Sequence, residues 1–305
     1  MTIEISKDVR IPGVGSHEEF EKWIAGQHIT GDVSVGESFG VGLFYKGQTN
    51  DIAEDSIVLR VPSSSALNMD TLLDLLGELK LRDKESHVSL KESELIIKFL
   101  EILNPGTETI ILLAYLLAFE FLRQTGDRTS VYYSTSPLRT WDTYLDILLS
   151  TKVFSFDVSN DNPYASSFVE LRGIVLAEYE AFIAEAKEKL PNVNVANRIS
   201  FDKFFQLFLA VRSRSLEVPK EVEGGNPDSE FQTDVTLVPV LDFANHNRDN
   251  NAYFDVDREN NDIVLKVKKE AITKEPFEVT ISYNPVDTNP EFYLTYGFRS
   301  AAQLQ

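Results

Sequence analysis

"VPVLDFANHNRD" (residues 238–249) passes from apolar to polar within a few positions. Its first half, Val238 to Phe243, reads as a short buried segment holding one carboxylate, Asp242, and the longer run "VTLVPVLDF" reads as β structure. The chain then stops at Asn245-His246 and continues with more Asn and Asp. Polar residues after a strand are ordinarily its loop. An Asn-His pair at the end of the most apolar segment in this half of the chain calls for a second reason, and the surrounding sequence supplies candidates.

Working outward, β character surrounds this stretch. "NAYFDVD", "DIVLKVKK" and "FEVTISY" follow it, and "NPEFYLTYGFRS" comes last. Upstream, "PKEVEGGNPDSEFQTD" (219–234) is polar, with paired glycines and a proline, and reads as a flexible surface loop. Before it, residues 69–216 read as helix. "MDTLLDLLGELKL", "SELIIKFLEIL", "TETIILLAYLLAFEFLRQTG", "RTWDTYLDILLS", "SSFVELRGIVLAEYEAFIAEAKEKL" and "SFDKFFQLFLAVRSRSLEV" carry apolar residues at i, i+3, i+4 spacing. Thr107 or Thr109 would cap the longest of them. At the N-terminal end a helix-like "SHEEFEKWIAGQ" precedes two strand-like pieces, "GVGLFYKG" (40–47) and "SIVLRVPSSSAL" (56–67), with turn chemistry between them and the first strand starting at Gly40. The order is β, a long helical block, then β again. Neither β part has strands enough to bury a sheet alone, so one α+β fold interrupted by a helical insertion is expected. The expected boundaries are 1–68, 69–234 and 235–305.

The 305 residues carry a net charge of −19 and no cysteine, with 43% hydrophobic and 25% charged residues. That is the composition of a globular protein with a sizeable core. Lack of cysteine excludes disulfides, a catalytic thiolate and Cys-ligated zinc. The four histidines, His17, His28, His87 and His246, show no metal-binding spacing, so no metal is expected. An acidic surface repels nucleic acid and favours basic partners, with solubility as its simplest meaning. No run approaches the roughly 20 apolar residues of a bilayer span. The longest, "TIILLAYLLAFEFL" (109–122), contains Glu120 and reads as a buried core helix. No basic start and apolar h-region opens the chain, so no secretory signal is visible.

Three motifs carry possible chemistry. "GVGLFYKG" fits neither the dinucleotide nor the P-loop fingerprint. Its glycines suit a tight turn or a bulge, or a close backbone approach to a small ligand. "VRSRS" (211–215) offers cations to a helix C-terminus, or an arginine aimed at a carboxylate or a substrate. "VTISYNPVDTNPEFYLTYGFRS" sets Tyr283 at the end of a β run and Tyr296-Gly297-Phe298 beyond a turn. Two tyrosines thirteen apart are core aromatics unless "LDFANH" upstream belongs with them.

Taken in order, "GxGL … RSRS … VPxxDxxNH … IxY … NxExxLxYGF" resembles the SET-domain protein methyltransferases of the Rubisco large-subunit methyltransferase type. This group includes fungal enzymes that modify ribosomal proteins, elongation factors and cytochrome c. The likeness covers nearly the whole chain: 40–67 resembles the N-terminal SET half, 235–298 the C-terminal half, and "TWDTYLDILL" and "ELRGIVL" echo the inserted helical subdomain. It implies S-adenosyl-L-methionine as cofactor, held by Phe39, Gly40, Val41, Arg214, Asp242, Asn245, His246, Tyr283 and Phe298. It also implies Tyr283 and Tyr296 as catalytic residues, and Tyr253 with Tyr296 along the lysine channel. The implied activity is lysine N-methylation of a non-histone, lysine-rich protein, by a monomer in the cytoplasm or the nucleus, with no nucleic acid or membrane partner. Histidine methylation on the same fold and a non-catalytic SET-like scaffold remain as alternatives.

Departures from the pattern are local. Glu275-Pro276-Phe277 stands where the group has a glycine-acid turn, and no Leu-Pro follows "YLD". The group's helical C-terminal domain, which helps to hold the protein substrate, would follow Phe298; seven residues do.

Overall fold

A computed structural model describes residues 2–48, 52–126, 130–153, 163–221, 231–272 and 277–299. The chain forms two compact units. One comprises Met1–Asn68 with Arg214–Asp287, the other Met69–Ser213 with Thr288–Gln305.

The first unit is β-rich. β3 (Val33–Ser38) and β4 (Gly40–Tyr45) form a hairpin in continuous register, from Ser38 opposite Gly40 to Val33 opposite Tyr45. Gly40 takes φ 101° at the turn, a conformation that a Cβ would strain. The hairpin lies inside a five-stranded sheet. Its order is β1 (Glu4–Ile5), β3, β4, β11 (Glu278–Ile281), β8 (Asn245–His246). β8 runs parallel to β11, with Asn245 opposite Thr280 and His246 opposite Ile281. Parallel neighbours need a crossover connection. Here it contains β9 (Ala252–Asp257) and β10 (Asp262–Val267), which pair with β5 (Ser56–Val61) and β2 (Thr30–Gly31) in an antiparallel sheet of order β2-β5-β10-β9. Helix α1 (His17–Gly26) is capped by Ser16 and turns Phe20 and Ile24 inward, with Phe20 6.1 Å from the Phe243 ring.

Three local expectations are corrected here. β1 and β3 precede Gly40 in the same sheet, so the strand starting at Gly40 is the second arm of a hairpin rather than the first strand. The strand read in "VTLVPVLDF" ends at Leu237. Val238 to Val240 turn, with Val240 at φ 70°, and Leu241–Phe243 form a 3-10 turn. Burial of Val238, Val240, Leu241 and Phe243 therefore explains the apolar run without a strand. The third concerns "VRSRSLEV": the helix ends at Arg214, and β6 (Ser215–Glu221) pairs antiparallel with β7 (Phe231–Leu237). Both ends of the segment expected as loop are thus strand, and its middle, 222–230, lies outside the described residues.

The second unit is helical: α2 (Met69–Glu85), α3 (Glu92–Leu103), α4 (Glu108–Thr125), α5 (Val131–Ser134), α6 (Asp142–Ser150), α7 (Ala165–Lys189), α8 (Phe201–Arg214, whose last residue belongs to the first unit) and α9 (Pro290–Tyr296). Thr107 caps α4, its side chain accepting from Ile110 N–H. Every residue of α4 from Leu112 to Leu122 is buried, as expected of a core helix. Glu120 among them is held by Arg123 and Lys203, each at 2.7 Å. Phe99 packs edge-on against Phe182 and tilted against Phe121, which ties α3 to α7 and α4. Among the described residues no helix is long and apolar enough to cross a membrane.

Candidate active site

The edge where β4, β11 and β8 meet gathers polar side chains in an apolar sheet. Asn245, on β8, donates through Nδ2 to the Val41 carbonyl (3.2 Å) and to Glu278 Oε1 (2.7 Å). The other carboxylate oxygen of Glu278 accepts from the Ser38 hydroxyl at 2.8 Å. Gly42 is what lets these groups meet. A Cβ there would lie 2.7 Å from Glu278 Oε1 and 3.1 Å from Asn245 Nδ2, inside van der Waals contact. Asn251 fastens the same edge, donating to the Glu278 carbonyl (2.8 Å) and accepting from Thr280 N–H (2.9 Å).

Tyr283 lies just past β11. Its hydroxyl donates to the Ala244 carbonyl (2.9 Å) and its backbone N–H donates to His246 Nδ1 (3.1 Å). Both ends of the tyrosine are thus tied to the Asn-His segment. The His246 ring lies 5.4 Å from the Tyr283 ring and its Nε2 is 3.4 Å from Asp287 Oδ2. Burial holds the His246 pKa below its ordinary value of 6.5, against the opposing pull of Asp287. Asp287 accepts from Arg248 Nη2 at 2.6 Å. Burial alone would raise its pKa, but the hydrogen bonds from His246 and Arg248 and the Arg248 charge outweigh that and keep it below the carboxylate norm.

The remaining expected residues are placed as follows. Arg214 and Asp242 face one another, Nη1 to Oδ2 at 2.8 Å. The Asp242 side chain is 0% exposed, and the guanidinium lies 5.7 Å over the Phe243 ring. Phe39 is the tip of the β3–β4 hairpin and is 99% exposed, beside Gly40. Val41 contributes its carbonyl to Asn245. Tyr253 stands on β9, in the other sheet, donating to Asp55 at 2.6 Å; that bond, with burial and nearby carboxylates, pushes its pKa up to about 12. Tyr296 and Phe298 belong to the helical unit, where both pack on Phe292, at 4.8 and 5.3 Å between ring centroids. Gly297 between them closes α9 at φ 79°.

The structure therefore joins Val41, Asn245, His246 and Tyr283 in one network and Arg214 with Asp242 in a clamp. Glu278, Ser38, Asp287 and Arg248 complete these contacts and were missed in the sequence. Glu278 had been read only as part of a strand, and Asp287 as part of a turn. Gly42, inside β4, is the available signal that other side chains lie against that strand. The altered turn at Glu275-Pro276 lies outside the described residues.

A protein-family model described as cytochrome c lysine N-methyltransferase 1 matches residues 36–304. Cytochrome c lysine N-methyltransferase 1 of Saccharomyces cerevisiae is 29% identical over 276 residues, which is 85% of this chain and 44% of that protein. Its namesake from Kluyveromyces lactis is 29% identical over 291 residues (86% and 52%), and that from Eremothecium gossypii 30% over 254 (79% and 48%). The chain spans about half the length of the curated relatives it matches. Among solved structures, the SET domain of LSMT bound to lysine and AdoHcy superposes with a TM-score of 0.57 at 18% identity, over 93% of this chain and 57% of that one. Rubisco LSMT bound to sinefungin and monomethyllysine gives 0.55, also at 18%, over 94% and 57%. At that identity the likeness establishes the fold, a SET-domain β fold with an inserted helical unit.

Proposed function

Because the chain belongs to the cytochrome c lysine N-methyltransferase 1 family, we propose that it is the S-adenosylmethionine-binding, methyl-transferring part of a protein-lysine N-methyltransferase acting on a non-histone protein. Cytochrome c, the substrate named for its relatives, is the first acceptor to try. The observation that carries this reading is the network binding Tyr283 to Ala244 and His246 while Asn245 bridges β8, β4 and β11.

The donor set suits such a cofactor. The site offers the carboxamide oxygen of Asn245, backbone edges and open space over Gly40, which suit the hydrogen-bonding and shape demands of a nucleoside with an amino-acid tail. When bound, that cofactor supplies an electrophilic methyl group on a sulfonium. Asn245 and the backbone of Val41 and His246 would hold it. Tyr283 has its hydroxyl hydrogen committed to Ala244, so its oxygen meets an incoming amine as an acceptor and orients the lone pair of the amine for attack. A lysine starts near pKa ~10.4 and attacks only when neutral. Apolar and aromatic surroundings favour the neutral amine by desolvation. The net charge of −19 suits a lysine-rich partner and disfavours nucleic acid. We further place the enzyme as a monomer in the cytoplasm, with the nucleus as the alternative.

The test is calorimetric titration of S-adenosylhomocysteine into the 305-residue chain, beside Asn245→Ala. It is followed by transfer of labelled methyl to cytochrome c and to peptides whose sole acceptor is Lys or His. Wild-type binding that the variant weakens at least tenfold, with label on lysine, supports the reading. Equal binding by the variant, or label on histidine alone, defeats it.

A further inference from the structure

The contact between Asp287 and His246 has a consequence for Tyr283. A backbone N–H can only donate, so His246 Nδ1, which accepts from Tyr283 N–H at 3.1 Å, carries no proton. The single N–H of the neutral ring is then on Nε2, facing Asp287 Oδ2 at 3.4 Å. The other oxygen of Asp287 accepts from Arg248 at 2.6 Å, and the resulting ion pair keeps the carboxylate charged. A charged carboxylate only accepts, so it is compatible with this one tautomer of the ring. The two side chains are 4% and 3% exposed, which leaves little solvent to compete.

Four residues after Tyr283, the chain thus returns to hold the ring that anchors Tyr283. The backbone contributes a second tether, since Asn247 N–H donates to the Ile281 carbonyl at 3.0 Å. The hydroxyl of Tyr283 rests on Ala244, two residues before His246 in the same segment. A ring turned over about Cβ–Cγ would set Cδ2 against Tyr283 N–H and Cε1 against Asp287, and both bonds would be lost.

We infer that Asp287 is a positioning residue for methyl transfer, fixing the tautomer and orientation of His246 and, through it, the placement of the Tyr283 hydroxyl. This rests on the role proposed above for Tyr283. Asp287 touches neither cofactor nor acceptor in this account. Its effect is on turnover rather than on cofactor affinity.

The experiment uses the full chain, labelled with 15N at histidine, as wild type, Asp287→Ala, Asp287→Asn and Tyr283→Phe. The His246 signals are identified by their loss in His246→Gln. At pH 7.5 the wild-type ring is expected as the single Nε2–H tautomer, and Asp287→Ala as a mixture. With labelled S-adenosylmethionine and cytochrome c, Asp287→Ala is expected to lower kcat about 10–100-fold, by analogy with the cost of removing the carboxylate that orients a metal-ligating histidine. The affinity for S-adenosylhomocysteine should stay within about threefold, and Asp287→Asn, whose amide oxygen still accepts from Nε2–H, should recover much of the turnover. An unchanged tautomer in Asp287→Ala overturns the inference. So does a joint fall of kcat, affinity and thermal stability that the Asn variant does not relieve, since that is a folding defect. Full turnover in Tyr283→Phe removes the tyrosine's role and Asp287's with it. Lost turnover in Tyr283→Phe beside unaffected Asp287→Ala removes only the present inference. Should the chain transfer no methyl under these conditions, the tautomer alone decides.

Discussion

Glu92, at the start of α3, is a buried acid whose cost can be measured. Its side chain is in the helical core at 2% exposure, and its Oε2 has no hydrogen-bond partner among the described residues. Burial raises its pKa. The Ser136 hydrogen bond and the Arg82 and Arg139 charges pull it down, the nearby Asp83 pushes it up, and the balance is about 7 against an ordinary 4.5. The native state therefore binds more protons than the unfolded chain between those two values, and stability falls as pH rises across that window. This contribution is fully present below about pH 4.5 and lost by about pH 8. The shift of roughly 2.5 units corresponds to about 3 kcal/mol at ~1.4 kcal/mol per unit, of which ~2–3 kcal/mol is lost between pH 5 and 8. Glu92→Gln removes the titration while keeping an acceptor for Ser136. Its stability relative to wild type should therefore climb by that ~2–3 kcal/mol from pH 5 to pH 8. Urea unfolding at four pH values measures it. The buried Trp141 reports the helical unit in a Trp23→Phe background, and other titrating groups cancel in the difference. Difference curves flat to within ~0.5 kcal/mol would refute the argument, because they would mean that Glu92 is as solvated when folded as when unfolded.

Asp242→Ala leaves the largely buried Arg214 cation without its 2.8 Å carboxylate partner. We expect a loss of about 3–5 kcal/mol in chemical denaturation, while the double variant Asp242→Leu, Arg214→Met recovers most of it. Gly42→Ala sets a methyl 2.7 Å from Glu278 Oε1 and should displace the Asn245 amide with it. S-adenosylhomocysteine affinity is expected to fall about tenfold, that is by ~1.4 kcal/mol in calorimetry. Gly40→Ala meets nothing within 4 Å but sits at φ 101°, so it should lower stability by ~1–2 kcal/mol and leave the Asn245 bridge in place.

How far the sequence could be read follows from where each signal comes from. The helices were legible because burial on one face repeats in the chain itself, and Thr107 marks the start of α4 with a side chain that does the capping. The first half of β6 reads as helix because the amphipathic pattern of α8 runs on through "RSRSLEV", and its second half reads as loop; only its pairing with β7 makes it a strand. β8 is two residues long and gains its status from lying parallel to β11, a partner more than thirty residues away. Asn245, His246 and Tyr283 were found as members of an ordered pattern, which identifies positions without stating what they touch. Glu278 and Asp287 carry no such mark. A carboxylate opening a strand, or sitting in a turn, is ordinarily solvated, and its meaning depends on what the fold brings to it. Glu278 meets Asn245 and Ser38 only because Gly42 clears the space between strands. Asp287 meets His246 only because the chain doubles back past Tyr283. In both cases the acid is an acceptor that fixes a neutral side chain, and such a role is defined by partners distant in sequence. The same logic applies to Arg214. Sequence offered it to a ligand carboxylate, while the structure gives it one inside the protein, on Asp242, so the question of what Arg214 can offer a ligand becomes the question of how firmly Asp242 holds it.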